Sequence, residues 1–138
     1  MKVVFDTNVY IAEALGGETA QHILASTQLA SWRIYISQHI VDETVAVMTE
    51  DLGLSRRSAM LTAFRALRRA RLAEPAPSRH EVAHNAADTK ILQTALEAGA
   101  QYLVTNDRHL LALHPYEGIQ IITMADYRRL LEDQGLLV

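Results

Sequence analysis

The chain contains no cysteine among its 138 residues. Disulfide bonds, thiolate zinc sites and thiol nucleophiles are therefore all excluded, and nothing in the sequence requires an oxidising compartment. Long apolar runs are also missing. Asp6 interrupts the first apolar run, and no run elsewhere approaches the length that spans a membrane. We therefore expect a cytoplasmic protein that does not associate with membranes.

A strong excess of charge of one sign is missing too. The formal net charge of −3 gives no general attraction to nucleic acid, so contact with a polyanion must come from a local basic patch. No Gly-rich phosphate loop of the dinucleotide or P-loop type is present. With 49% hydrophobic residues the composition is that of an ordinary globular protein, and the length favours a single domain over residues 1–138.

Short β-type runs alternate along the chain with longer helical stretches. Strands are predicted at residues 3–5, 34–36, 102–104 and 119–122, with a weaker one near 72–73. Helical spacing is present at residues 18–30, 38–51, 55–71, 86–98 and 124–133. This alternation predicts an α/β fold, a three-layer α/β/α sandwich around a mainly parallel sheet of four to five strands.

Four acidic residues stand at the ends of strands or in the helices that follow them: Asp6, Glu43, Asp88 and Asp107. Parallel sheets bind their ligands at the carboxyl ends of the strands. Several carboxylates meeting there would repel one another strongly in a dry site, so a proton or a hard cation must accompany them. Ligands that are all oxygen point to Mg²⁺ or Mn²⁺.

The order and spacing of four segments carry a family resemblance. The segments are residues 4–9, 37–43, 88–95 and 99–111. Together they resemble the PIN-domain family, and most closely its VapC-like branch of toxin components, from residue 3 to about residue 127. The resemblance implies a metal-dependent ribonuclease that uses Asp6, Glu43, Asp88 and Asp107. It further implies cleavage by an activated water that leaves a 5′-phosphate, and a cognate antitoxin. We also expect a homodimer.

Two positions depart from the pattern of that branch. Asn85 stands where the branch often has Asp, and Asn106 stands where it usually has Gly. The first departure removes a possible extra acid from the site. The charge of the site and the binding of a second cation depend on that difference.

Each of the four acids has its own expected role. Asp6 and Asp107 each follow a strand and are the first candidates for direct metal ligands. Asp88 opens a helix and can bind the cation directly or through water. Glu43 has the longer side chain and can position the attacking water or partly remove its proton.

Two further polar residues flank the acids and can contact them or the substrate. Asn8 and Thr105 are candidate hydrogen-bond partners of the ligands or contacts to a phosphate. The acids also have simpler explanations: Asp6 and Asp88 can each cap a helix, and Glu43 can be a solvated helix acid.

A second motif competes with the four acids. The segment His80-Glu81-Val82-Ala83-His84 is an H-E-x-x-H sequence, which on a helix places two histidines on one face for zinc, with the Glu as general base. Catalytic zinc needs a third protein ligand. The downstream candidates His109 and His114 fall in or after the stretch that already carries Asp107. A zinc peptidase remains an alternative to the ribonuclease.

Arginines crowd one predicted helix and its flanks: Arg56, Arg57, Arg65, Arg68, Arg69 and Arg71. Arg65, Arg68 and Arg69 share a helix face by their spacing. An apolar stripe lies beside that face and consists of Met60, Phe64 and Leu67. The basic face can be a track for RNA phosphates, a solvated helix surface, or a surface that binds an antitoxin or a second copy of the chain.

Taken together, the sequence predicts an RNA-cleaving, Mg²⁺- or Mn²⁺-dependent nuclease, the toxin of a toxin–antitoxin pair. The alternative of a different class is a PIN fold that binds RNA or protein with little turnover. The complete set of four acids favours the enzyme.

Overall fold

The computed structural model of the protein describes residues 1–74 and 86–138. In these ranges the strands are β1 (Lys2–Phe5), β2 (Arg33–Ile36), β3 (Ala70–Leu72), β4 (Tyr102–Val104) and β5 (Gln120–Ile122). The helices are α1 (Thr7–Ala14), α2 (Glu18–Leu29), α3 (Gln38–Ala46), α4 (Arg56–Arg69), α5 (Ala86–Ala98), α6 (Arg108–Leu111) and α7 (Met124–Asp133). A π-helical turn at Val47–Asp51 follows α3. No helix of the described ranges is long and apolar enough to cross a membrane.

The five strands form one sheet in the order β3-β2-β1-β4-β5, and every described pair is parallel. In β1 the consecutive residues Val3, Val4 and Phe5 are all completely buried. Successive side chains of a strand point to opposite faces, so both faces of the sheet are covered. The predicted three-layer α/β/α sandwich with a parallel sheet is therefore confirmed.

Most predicted helices begin and end within two residues of their expected bounds, but two short ones were not predicted. Helix α1 buries Val9, Tyr10 and Ile11 in succession. Burial on several sides removes the one-sided apolar period by which a helix is recognised in sequence. Helix α6 has four residues, which is too short to show a period. Residues 75–85, which carry the H-E-x-x-H segment and Asn85, lie outside the described residues.

Helix α4 packs its small side chains inward and its large apolar side chains outward. Ser55 caps it, its hydroxyl accepting a hydrogen bond from the Ser58 backbone N–H at 3.0 Å. The buried residues of the helix are Ala59, Thr62, Ala63 and Ala66. Phe64 of the predicted apolar stripe is 55% exposed, and Leu67 is exposed as well. Two of the three stripe residues thus face the surface, while Met60 is partly buried, because short side chains fill the contact with the rest of the protein.

A largely buried ion pair joins α1 to the last turn of α4. The Arg69 guanidinium donates two hydrogen bonds to the Glu13 carboxylate, from Nη1 to Oε2 at 2.6 Å and from Nη2 to Oε1 at 2.7 Å. Both side chains are 10% exposed. Two parallel bonds of this kind fix the geometry as well as the charge. The guanidinium of Arg69 is therefore engaged by Glu13, whereas Arg65 and Arg68 remain exposed. The predicted contact of these arginines with RNA stays a prediction.

We predict that Arg69→Leu lowers the free energy of unfolding by about 2 kcal/mol, because it leaves the largely buried Glu13 carboxylate without its counter-charge. The double variant Glu13→Leu/Arg69→Leu should recover most of the loss, since no lone charge remains. Urea denaturation of the single and double variants measures both effects. Arg68→Leu, one residue away but exposed, is the control and should change stability by less than about 0.5 kcal/mol. A double variant no more stable than Arg69→Leu would contradict the explanation.

Candidate active site

The candidate site lies where the two central strands β1 and β4 end side by side. Phe5 pairs with Val104 in the parallel register, and the next backbone N–H, that of Asp6, donates to the Val104 carbonyl at 3.0 Å. The register therefore brings Asp6 next to Thr105 at the carboxyl edge of the sheet. This is the edge where parallel sheets bind ligands.

Asp6 is 4% exposed, and its carboxylate is held by a side chain from the neighbouring strand end. The Thr105 hydroxyl donates to Asp6 Oδ2 at 2.7 Å and accepts a hydrogen bond from the Asp107 backbone N–H at 2.9 Å. Asp6 occupies the N-cap position of α1, yet its side chain makes no capping hydrogen bond. Helix capping therefore does not explain this carboxylate.

The ionisation of Asp6 is perturbed by its surroundings. Burial raises the pKa of Asp6 to about 6, from an ordinary value of 3.8. Hydrogen bonds from the Thr105 hydroxyl and the Thr7 backbone lower this pKa, while the nearby carboxylates of Glu43 and Asp107 raise it. A pKa that is raised by burial and nearby carboxylates and lowered by hydrogen bonds is typical of a buried acid with other acids close to it. Such acids cluster at functional sites.

Glu43 approaches the same edge from α3. Its Oε1 accepts a hydrogen bond from the Thr7 hydroxyl at 2.5 Å. Its Oε2 lies 3.9 Å from His39 Nε2, one helical turn earlier on α3. His39 was not singled out from the sequence, although the i, i+4 spacing of His39 and Glu43 on a helix is a signal that predicts this neighbour.

Asp107 has a structural role in addition to its expected one. Its Oδ1 accepts hydrogen bonds from the backbone N–H groups of His109 at 2.7 Å and Leu110 at 3.3 Å, and so caps α6. Helix capping, which was considered for Asp6, is thus performed at α6 by Asp107. Capping engages one oxygen of the carboxylate, so it is compatible with binding a ligand through the other.

Asp88 and Asn8 complete the candidate residues. Asp88 is buried in the first turn of α5, a helix that packs against β1, β2, β4 and α3. Asn8 is exposed in the first turn of α1, directly after the buried pair of Asp6 and Thr7. Its predicted contact with a phosphate stays a prediction.

The donor chemistry of the site suits a hard divalent cation. Asp6, Glu43 and Asp107 offer carboxylate oxygens, and each ionised neighbour makes ionisation of Asp6 harder unless a positive charge joins them. Among the residues that the structure describes, no three His, Asp or Glu side chains form a compact metal-binding group. Binding of one cation by several of these acids therefore requires movement of their side chains or water molecules that bridge them to the cation.

Comparison with known proteins identifies the family. A family model described as PIN domain matches residues 2–109, a range that includes all four acids and Thr105. The chain belongs to the PIN-domain family. The resemblance predicted from the sequence is confirmed at this level. A search of curated proteins found no sequence match.

Several solved structures share this fold, and one of them is a toxin. VapBC2 from Rickettsia felis, bound to a DNA fragment from its promoter, superposes with a TM-score of 0.67 at 14% identity over 89% of this chain and 98% of that one. PAE2754 from Pyrobaculum aerophilum gives 0.67 at 17% identity, over 96% and 90%. VapC20 from Mycobacterium tuberculosis, a toxin that cleaves the sarcin–ricin loop, gives 0.59 at 18% identity, over 86% and 98%. At these identities the likeness is one of fold.

The raised pKa of Asp6 predicts how the metal-free PIN domain responds to pH. Between pH 3.8 and about 6 the folded state holds a proton on Asp6 that the unfolded state has already lost. The contribution of Asp6 to stability is therefore fully present below pH 3.8 and is lost as the pH rises through 6, a loss of about 3 kcal/mol.

Urea denaturation in EDTA at pH 4, 5, 6 and 7 tests this, with Asp6→Asn as the matched neutral variant. The stability of wild type minus that of Asp6→Asn should fall across the series, because other titrating groups cancel in the difference. Added Mn²⁺ should reduce the fall, since a cation favours the ionised carboxylate. A difference that does not vary with pH would contradict the assignment.

Proposed function

We propose that the protein is a metal-dependent endoribonuclease that hydrolyses RNA phosphodiester bonds with Mg²⁺ or Mn²⁺ held by Asp6, Glu43, Asp88 and Asp107. The observation that carries the proposal is the buried Asp6 carboxylate, hydrogen-bonded by Thr105 and close enough to Glu43 and Asp107 for both to raise its pKa. An acid in this position is unfavourable for the fold alone, so a ligand that needs negative charge explains it best.

The residues of the chain divide the work of hydrolysis. When held by these acids, a divalent cation would make a bound water more acidic and would neutralise charge that grows on the phosphorus oxygens. Thr105 holds Asp6 in one orientation by its hydrogen bond to Oδ2. Glu43, half-buried at the edge of the site, orients the attacking water and accepts its proton. Asn8 is exposed beside them and can donate from its amide to a substrate phosphate.

The proposed partner is an antitoxin, as in the VapBC2 complex that shares the fold. The surface that we assign to it is the exposed side of α4. A groove of about 530 Å³ there is lined by Gln28 of α2 and by Leu61, Phe64, Arg65, Arg68 and Arg69. Exposed apolar side chains between arginines suit an acidic amphipathic segment. Homodimerisation and a cytoplasmic location remain part of the proposal.

Neutral substitutions of the two acids that follow strands test the nuclease. Asp6→Asn and Asp107→Asn should each reduce cleavage of a mixed RNA panel in Mn²⁺ by at least about 100-fold, since each removes ligand charge while keeping side-chain shape. Asn also preserves the cap of α6 at position 107. Asp42→Asn, exposed on α3 beside Glu43, is the control and should cleave as wild type does. Wild-type rates in both site variants would exclude the carboxylate site.

The same assay separates the alternatives. A zinc peptidase would lose its activity in Glu81→Gln, whereas the proposed ribonuclease should be unchanged by that substitution. A PIN-fold binding module would bind RNA or protein and show no metal-dependent cleavage in wild type. Sequencing the ends of RNAs cut during brief expression would then identify the target class of an active enzyme.

The exposed arginines of α4 give a separate test. If they contact RNA phosphates, Arg65→Gln/Arg68→Gln should weaken RNA binding across sequences and make it less dependent on salt, by about two units of slope at most. Arg69 is left intact because its pair with Glu13 supports the fold. Titrations at two salt concentrations measure the slope, and Arg128→Gln/Arg129→Gln on α7 removes the same charge from another exposed surface as the control.

If α4 binds an antitoxin instead, RNA affinity and its salt slope should stay at wild-type values. Complex formation with the antitoxin, followed by size-exclusion chromatography, should fail in Phe64→Ser and weaken in the arginine variant. An antitoxin complex that forms normally in all of these variants would exclude this side of α4.

A further inference from the structure

Asp6 and Thr7 are neighbours in sequence, yet their side chains serve two different carboxylates. Asp6 contributes its own carboxylate to the site, whereas the Thr7 hydroxyl donates to Glu43 Oε1 at 2.5 Å. Glu43 lies 36 positions later, on another helix. A single dipeptide at the end of β1 thus provides one acid of the site and the hydrogen bond that holds another.

The position of Thr7 makes its hydroxyl a fixed donor. Thr7 is the first residue of α1 and is 3% exposed. Its branched Cβ restricts χ1 to few rotamers, and burial against neighbouring side chains restricts it further. Helices α1 and α3 pack against each other, which carries Glu43 to within reach of that hydroxyl.

Glu43 has few other restraints among its described contacts. His39 Nε2 is 3.9 Å from Oε2, which is too long for a hydrogen bond, and the Glu43 side chain is 26% exposed. A Glu side chain loses considerable rotamer freedom when it is fixed. Repulsion from Asp6 also favours rotation of Glu43 towards solvent. A short hydrogen bond to a charged oxygen is strong enough to oppose both effects.

We propose that Thr7 is a positioning residue that holds Glu43 towards Asp6 and so sets the spacing of the two carboxylates before a cation binds. This inference rests on the proposed metal-dependent site. The hydroxyl of Thr7 touches neither substrate nor cation in this role, and it acts through Glu43. Its effect should therefore appear in cation affinity and turnover, and much less in the affinity for RNA.

Isosteric loss of the hydroxyl provides the test. Thr7→Val should weaken Mn²⁺ binding, measured by calorimetry on the full chain without RNA, by about 10- to 100-fold. It should lower kcat for RNA at a fixed Mn²⁺ concentration while leaving the KM for RNA unchanged. Thr7→Ser keeps a hydroxyl at the same place and should restore both values to within about threefold of wild type.

Thr44→Val is the matched control. Thr44 is also buried and stands next to Glu43 on α3, but its hydroxyl donates to the Ile40 carbonyl at 2.7 Å. This control should bind Mn²⁺ as wild type does. If Thr44→Val weakens Mn²⁺ binding as much as Thr7→Val, the effect is general loosening of α3 and the inference is overturned. Failure of Thr7→Ser to restore binding would overturn it as well.

Glu43→Gln separates this inference from the proposed function. If Glu43→Gln weakens Mn²⁺ binding and Thr7→Val does not, the site is correct and Thr7 does not position its acid. If Asp6→Asn, Glu43→Gln and Thr7→Val all bind Mn²⁺ as wild type does, the metal site itself is wrong and the inference fails with it. Support requires weaker binding in Glu43→Gln and Thr7→Val together.

Discussion

The hydroxyl of Thr105 ties together the two strand ends on which the candidate site is built. It is completely buried, donates to Asp6 and accepts from the backbone N–H of Asp107. A hydroxyl can donate and accept at once, so one small side chain satisfies both neighbours. The bridge forms only when β1 and β4 are aligned as they are, because a slip of one residue would turn every side chain of a strand to the opposite face. The register of β1 and β4 therefore determines the geometry of the candidate site.

Asp6 departs from the usual behaviour of an aspartate at the N-cap of a helix. An aspartate at the N-cap of a helix normally accepts hydrogen bonds from the first turn, as Asp107 does at α6. At α1 the Asp6 side chain makes no capping hydrogen bond, although the Thr7 backbone favours its ionised form, and the carboxylate is buried beside other acids. The tightly packed strand β1 offsets this unfavourable arrangement. Such departures from local structural preference are expected at functional sites. The one at Asp6 is the strongest structural indication of function in the described residues.

The strands and the acids that follow them were predictable, because continuous apolar runs such as Val3–Phe5 mark a buried parallel strand and motif residues then fall at its end. Contacts between helices were not. Sequence places Arg69 beside Arg65 and Arg68 on one face, but Glu13, its partner, is 56 positions away on a helix that shows no period. The hydrogen bond from Thr7 to Glu43 is hidden for the same reason. The spacing of residues along a helix predicts which of them share a face. It does not predict which other helix or side chain that face contacts.

The buried and exposed sides of helix α4 differ in how much substitution they tolerate. Ala59, Ala63 and Ala66 fill the contact with the protein and leave little room for change, since a larger side chain there would push the helices apart. Phe64, Arg65 and Arg68 project outward, and their replacement costs the fold almost nothing. The outer surface can therefore diverge between proteins of this fold while the buried side of the helix stays constant. Proteins of this fold can in this way acquire different partners at α4 without any change in how the helix packs.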